Sequence, residues 1–233
     1  MRVAIIGSGG IGRGYAAFLT MEGHDVVLWS PSGTAKTDFD GDALLSVTGK
    51  IDASLHLCIA ETAESALHGA KVIIIAVQAN GFKSVIETIA PLLASNQSVI
   101  ISSHCSFAAL FLHRLVKERG LELPISVWAT TALTARKSGK RGVHISGIRS
   151  KLDVATIPAH HGEEGIRLCK KLFGDRFEAR QDILAIMLSN LNPPAHIANM
   201  LCNLTRAEKA EEWPNYGSIT QGVGRIVDAM DQE

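Results

Sequence analysis

The apolar run Arg2-Val3-Ala4-Ile5-Ile6 passes directly into Gly7-Ser8-Gly9-Gly10-Ile11-Gly12, a G-x-G-x-x-G placed between a strand pattern and a helix pattern. Each glycine has its own task. Gly7 permits the tight turn out of the strand. Gly9 lets backbone approach a pyrophosphate, and Gly12 lets the next helix sit close to the sheet. The helix start offers unpaired N–H groups and positive partial charge to phosphates. Gly7, Ser8, Gly9, Gly10, Ile11 and Gly12 are therefore the first candidate dinucleotide contacts. Ala16, Phe18 and Leu19 give the helix an apolar face, Glu22-Gly23-His24-Asp25 breaks it, and Val26-Val27-Leu28-Trp29 reads as a second strand.

Strand-like runs alternate with helical patterns over most of the first 150 residues. Val72 to Val77, Ser98 to Ile101 and Val127 to Thr130 are the clearest further strands, with crossover helices over residues 83–94 and 106–119. Continuous β-branched runs suit strands buried on both faces. The expected fold is α/β: a doubly wound, mostly parallel sheet of the Rossmann type with helices on both faces. Residues 31–50, rich in Ser, Gly, Thr and Asp, read as an irregular loop. Val143, Ile145 and Ile148, then Leu152, Val154 and Thr156, read as an antiparallel strand pair, followed by a helix over 162–172 that ends at Gly174.

The pattern changes near residue 181, which divides the chain into a dinucleotide-binding domain (1–180) and the beginning of an all-helical domain (181–233). Asp182 to Leu191 is a helical apolar segment, and Pro193-Pro194 suits the first turn of another helix. Ile219, Val223, Ile226, Val227 and Met230 form one stripe of a last helix. About 53 residues would make a marginal core alone. The segment is expected to pack on the first domain, to form a homodimer, or to belong to a larger helical domain cut short, the last being favoured.

Charge excludes some classes of partner. The chain holds 23 Lys and Arg against 23 Asp and Glu, and no stretch concentrates cations with aromatics, so neither nucleic acid nor a membrane surface is an expected partner. The apolar run at 72–77 is too short to span a bilayer. Cys58, Cys105, Cys169 and Cys202 lie far apart, and they read as reduced, mostly buried thiols, with no metal site. With a core strand at the chain start, the expected location is cytoplasmic.

An NAD-preferring site commonly places an acid at the end of the second strand. Here that position is Ser30, followed by Pro31, Ser32, Gly33 and Thr34, with Lys36 nearby. With hydroxyls and a cation in reach of a 2′-phosphate and no acid to repel one, NADP is preferred over NAD. Ligands of such sheets lie across the carboxyl ends of the strands, so Val77 and Gln78 are further cofactor candidates. His104 reads equally as a site residue or as an ordinary strand-end histidine.

A nicotinamide cofactor supplies hydride transfer, leaving the protein to provide a proton donor or acceptor and a substrate clamp. The densest polar cluster is Ser189-Asn190-Leu191-Asn192-Pro193-Pro194-Ala195-His196, and on a helix His196, Asn199, Met200 and Asn203 share a face. That cluster makes His196 the candidate catalytic residue.

Asn190 to His196 resembles the N-P-x-x-H signature of the opine dehydrogenases of the octopine and nopaline type. The run from Tyr216 and Thr220 through Val223 and Arg225 to Asp231 is similar to the start of that family's helical domain. The resemblance implies reductive condensation of a 2-keto acid with an amino acid, or its reverse, using NAD(P)H. It implies His196 as proton donor or acceptor and Asn192 as a nearby positioning residue. In the family an aspartate further along the helical domain orients the histidine, and no residue here takes that role. Two other readings stay open. One is a ketopantoate reductase or 3-hydroxyacid-type dehydrogenase, which depends on a lysine that residues 182–191 lack. The other is a dinucleotide-binding regulatory module without turnover.

Overall fold

The computed structural model describes residues 1–103, 107–189, 192–214 and 216–232. The chain opens with β1 (Arg2–Ile6), α1 (Gly10–Met21), β2 (Asp25–Trp29), α2 (Thr34–Asp38), β3 (Leu44–Gly49), β4 (Ala53–His56), β5 (Cys58–Ile59) and α3 (Ala63–Leu67). It continues through β6 (Val72–Ile75), α4 (Phe82–Ile89), β7 (Ser98–Ile101), α5 (Ala108–Glu118), β8 (Ile125–Trp128), β9 (Leu133–Lys137), β10 (Gly142–Ile148) and β11 (Leu152–Ile157). There follow α6 (Gly162–Phe173), β12 (Phe177–Ala179), α7 (Ile183–Leu188), α8 (Asn192–Cys202), α9 (Leu204–Glu208) and α10 (Gln221–Asp231). They form two compact units, Met1–Leu188 and Ser189–Glu233. Helix α7 lies in the first, where Ile183 and Ile186 join a core that contains Val127 and Ala155.

The first unit is built on an eight-stranded sheet in the order β12-β11-β8-β7-β6-β1-β2-β5. The run from β5 to β8 is parallel throughout, and β11 is antiparallel to β8. This is the doubly wound α/β arrangement that the alternating strand and helix patterns predict. Successive side chains of β1 enter opposite faces. Ala4 and Ile6 meet Ile73, Ile75, Val99 and the apolar sides of α3, α4 and α5. Val3 and Ile5 meet Ile74, Ile100, Trp128 and the buried side of α1. Helix α1 ends in a Schellman motif: His24 N–H donates to the Leu19 carbonyl and Gly23 N–H to that of Thr20, with Gly23 at φ +78°.

A second, four-stranded sheet in the order β4-β3-β10-β9 departs from expectation. Residues 31–50 hold α2 and β3 instead of an irregular loop. The strands β10 and β11 do not pair with each other: β10 joins β3 and β9, whereas β11 joins β8 and β12. Leu45, Val47, Val143 and Ile145 bury the inner side of this sheet into the α1 core, while alternate positions face solvent. β8 begins two residues earlier than its apolar run suggested. Among the described cysteines only Cys169 is buried, and Cys58 and Cys202 are exposed. Trp128 donates its indole N–H to the Cys169 sulfur, and burial pushes that thiol up to about 12, so it stays protonated.

Two glycines seat α1 on the second sheet. A Cβ on Gly10 would lie 2.5 Å from the Ala135 carbonyl oxygen, and one on Gly14 would lie 2.6 Å from Leu133 Cδ1. The first obstacle is backbone; the second is the end of a flexible side chain. Gly10→Ala is therefore expected to destabilise the protein by about 1–3 kcal/mol through overpacking. In Gly14→Ala the gain of about 1 kcal/mol in helix propensity offsets much of the strain. Urea midpoints of the two variants check this order.

Candidate functional site

Strand order reverses between β1 and β6, and the carboxyl ends of β1, β2 and β6 open a groove of about 410 Å³ there. Such switch points are where doubly wound sheets hold ligands. Gly7, Ser8 and Gly9 line it from the turn after β1, Ser30, Pro31, Ser32 and Thr34 from the end of β2, and Ala76, Val77 and Gln78 from the end of β6. Eight of these ten lining positions, Gly7, Ser8, Gly9, Ser30, Ser32, Thr34, Val77 and Gln78, are among the residues singled out above. Asn80, Gly81, Val85 and Lys137 complete the lining and were not foreseen.

The glycine loop divides into a ligand side and a packing side. Gly7 stands at φ +122°, and a Cβ there would lie 2.3 Å from the Ala76 carbonyl oxygen. Gly9 has nothing within 4 Å of a Cβ position, so it leaves free space above the turn. Gly9 is also the N-cap of α1 and supplies no side-chain cap, which leaves the first N–H groups of the helix for an anion. Gly10, Ile11 and Gly12 do not line the groove. A Cβ on Gly12 would lie 1.8 Å from the Gly7 carbonyl oxygen, so Gly12 sets how closely α1 meets the turn.

At the β2 end, Ser30 Oγ accepts from Ala35 N–H at 2.8 Å and caps α2, so this serine fixes the loop that carries the other two hydroxyls. Ser32 Oγ and Thr34 Oγ1 share a hydrogen bond of 2.8 Å. Lys36, the cation foreseen here, instead pairs with Glu61 at 3.0 Å and does not line the groove. His104 lies outside the described residues.

Beneath the groove lies a charge cluster that no local pattern announced. Arg13, with no exposed side-chain surface, donates from Nε to the Ser8 carbonyl at 2.9 Å and from Nη1 to the Lys140 carbonyl at 2.7 Å. Its Nη2 pairs with Asp38, whose Oδ2 also accepts from Lys137 Nζ at 2.7 Å. Burial alone would raise the Asp38 pKa and lower that of Arg13. For Asp38 the hydrogen bonds and charges of Lys137 and Arg13 prevail and hold it below the usual carboxylate range; for Arg13 burial prevails.

The second unit carries the polar cluster. His196, on α8, is half-buried, and its Nε2 shares a hydrogen bond of 3.2 Å with the Tyr216 hydroxyl, the donor being set by the imidazole tautomer. Asn192 begins the same helix four residues earlier and is exposed. Asn199 is buried, and Asn203 Nδ2 donates to its carbonyl at 2.9 Å and to its Oδ1 at 3.2 Å. Those amides satisfy one another within the helix end, while His196 has an exposed phenol as partner. Asn190 and Leu191 lie outside the described residues.

The fold and the groove define a Rossmann-type α/β protein. Residues 3–104 match the ketopantoate reductase PanE/ApbA family. Along its whole length the chain is similar to opine dehydrogenases: it is 24% identical over 234 residues to the opine dehydrogenase of Arthrobacter sp. (strain 1C), covering 99% of this chain and 65% of that one. An octopine dehydrogenase solved with NADH and pyruvate superposes with a TM-score of 0.68 at 15% identity, over 89% of this chain and 56% of that one. A PanE/ApbA family ketopantoate reductase from Ralstonia eutropha JMP134 superposes with a TM-score of 0.64 at 17% identity, over 100% of this chain and 82% of that one. The chain thus spans about two thirds of its curated relative and just over half of the octopine dehydrogenase. No helix among the described residues is long and apolar enough to cross a membrane.

Removing the Asp38 carboxylate would strand a fully buried guanidinium. Asp38→Ala is expected to cost about 3–5 kcal/mol, read from urea unfolding at neutral pH. Because the folded pKa of Asp38 is depressed, its stabilisation is complete above the ordinary carboxylate value of about 4 and is lost as pH falls through the depressed one. The gap between parent and variant is therefore expected to narrow on acidification below pH ~4.

Proposed function

We propose that this chain provides the coenzyme-binding domain and the catalytic histidine of an NAD(P)H-dependent opine-type dehydrogenase. The reaction is the reductive condensation of a 2-keto acid with an amino acid, or its reverse. The observation that carries this reading is the groove at the switch point, with the open Gly9 turn at the uncapped start of α1. A pyrophosphate fits that turn by shape and by the polarity of the helix end. Ala76, Val77 and Gln78 supply a wall of small and neutral side chains along the same groove, suited to a ribose and an uncharged ring.

The bound dinucleotide supplies the hydride. His196 holds or delivers the proton at the substrate carbonyl or imine, and Asn192, on the same face of α8, positions the polar substrate. Tyr216 orients the imidazole through its hydrogen bond to Nε2. The opine reading gains weight over the ketopantoate one from sequence, not from fold: a PanE/ApbA ketopantoate reductase superposes over the whole chain, but the PanE/ApbA sequence match ends at residue 104. The similarity to opine dehydrogenase continues through the segment containing Asn192 and His196. A cytoplasmic site of action, small polar substrates and a homodimer formed through the helical segment complete the proposal.

The test uses the protein expressed from its natural reading frame. His196→Ala is expected to lower kcat for keto-acid- and amine-dependent NAD(P)H oxidation by about 10²–10⁴, with the coenzyme Kd unchanged within about twofold. Tyr216→Phe is expected to lower kcat less. Oxidation of NAD(P)H by ketopantoate without any amine would favour the reductase reading, and coenzyme binding without turnover on any keto acid would favour a regulatory module.

A further inference from the structure

The charge lining the groove is unusually simple. Among its described lining residues Lys137 is the one charged side chain, and no carboxylate faces the space. Lys137 ends β9 of the second sheet and lines the same groove as Ser32 and Thr34. Its ammonium is held by Asp38 at 2.7 Å, yet Asp38 is shared with the fully buried Arg13. Two cations on one carboxylate leave the cluster with one uncompensated positive charge. Arg13 has no exposed surface and is spent on three carbonyls and Asp38. The surplus is therefore presented to the groove by Lys137, whose side chain is 37% exposed. The Ser32–Thr34 pair uses one hydroxyl hydrogen internally and leaves the other to donate.

We propose that Lys137, with the Ser32–Thr34 hydroxyl pair, forms a 2′-phosphate subsite and is the residue that makes this protein select NADP over NAD. The inference rests on the dinucleotide reading of the groove and deepens it by assigning the discriminating cation to the second sheet. A phosphate monoester dianion needs a cation and donors, and it would be repelled by an acid at the β2 end. Lys137 gives the cation, Ser32 and Thr34 give the donor, and Ser30 stands where an acid would favour NAD. Asp38 orients the ammonium and, through Arg13, ties it to the Ser8 carbonyl of the glycine loop. The subsite and the pyrophosphate turn are thereby held in one frame.

Calorimetric titration of the natural protein with NADPH, NADH, 2′,5′-ADP and 5′-AMP tests this. The parent is expected to bind NADPH at least tenfold more tightly than NADH, and 2′,5′-ADP more tightly than 5′-AMP, with both ratios shrinking as salt rises. Lys137→Ala and Lys137→Gln are expected to raise the NADPH Kd tenfold or more while changing the NADH Kd less than about threefold. Lys137→Arg is expected to keep most of the preference, and Lys36→Ala to leave it intact. Equal losses for NADPH and NADH would place Lys137 on the pyrophosphate and overturn the proposal. So would an unchanged preference in both Lys137 variants, or its loss in Lys36→Ala. A parent that binds neither dinucleotide would instead remove the coenzyme reading itself, and this proposal with it.

Discussion

The first unit depends on a guanidinium with no exposed side-chain surface. Arg13 sits one turn into α1, between the sheet below and the second sheet above. It binds the Ser8 carbonyl in the glycine turn, the Lys140 and Gly142 carbonyls at the start of β10, and the Asp38 carboxylate at the end of α2. A buried charge of this kind costs several kcal/mol to desolvate, and it is tolerated only where its donors are satisfied. Satisfying them requires the turn, α2 and the second sheet to be in place together. The geometry of the coenzyme groove is therefore coupled to a sheet that lines it with only one residue.

The glycines complete that coupling by steric means. Gly12 lets α1 approach the Gly7 carbonyl, and Gly10 and Gly14 let the opposite flank of the same helix rest on β9. The helix is thus clamped on both sides. Tyr15, between them, adds a buried hydroxyl that bonds Ser102 at 2.8 Å and accepts from Ala132 N–H at 3.0 Å. Its ring packs edge-on against Trp128 and Phe173. Burial raises the Tyr15 pKa, so the phenol stays protonated as a structural link.

What could be read from the sequence follows from how local each requirement is. The β1–turn–α1 unit was legible because a tight turn, a close approach and a helix start are each satisfied within a dozen residues. The same holds for the missing acid at Ser30 and for the helical phase of His196 and Asn192. The second sheet was not legible. Its β3 and β10 strands pair across almost a hundred residues, and only alternate positions such as Leu45 and Val47 are buried, amid Ser, Thr and Gly. Arg13 carries no local sign of its burial, because its partners Asp38, Lys140 and Gly142 are distant in sequence. Lys137 was hidden for the same reason, whereas the nearer Lys36 pairs with Glu61 and does not line the groove. Tyr216 carried no local sign that it would meet His196 twenty residues earlier.

The two units also differ in how firmly they hold their candidate site residues. The groove stands on two extensive apolar clusters that leave most of β1, β6, β7 and β8 without solvent contact. In the second unit Ala198 and Val223 are the buried apolar side chains among the described residues, whereas Leu201, Leu204, Ile226 and Met230 are exposed. A core of that size cannot offset the conformational entropy of ordering some forty residues. Its helices are held by short-range devices: the Thr220 cap on Val223 N–H, the Asn199–Asn203 bonds and the His196–Tyr216 contact. Each contributes about 1 kcal/mol. For the proton transfer proposed for His196, the imidazole would need a fixed position within a fraction of an ångström. The apolar face of α10 is accordingly where added burial would do most to fix His196, because α10 packs on the helix that carries it.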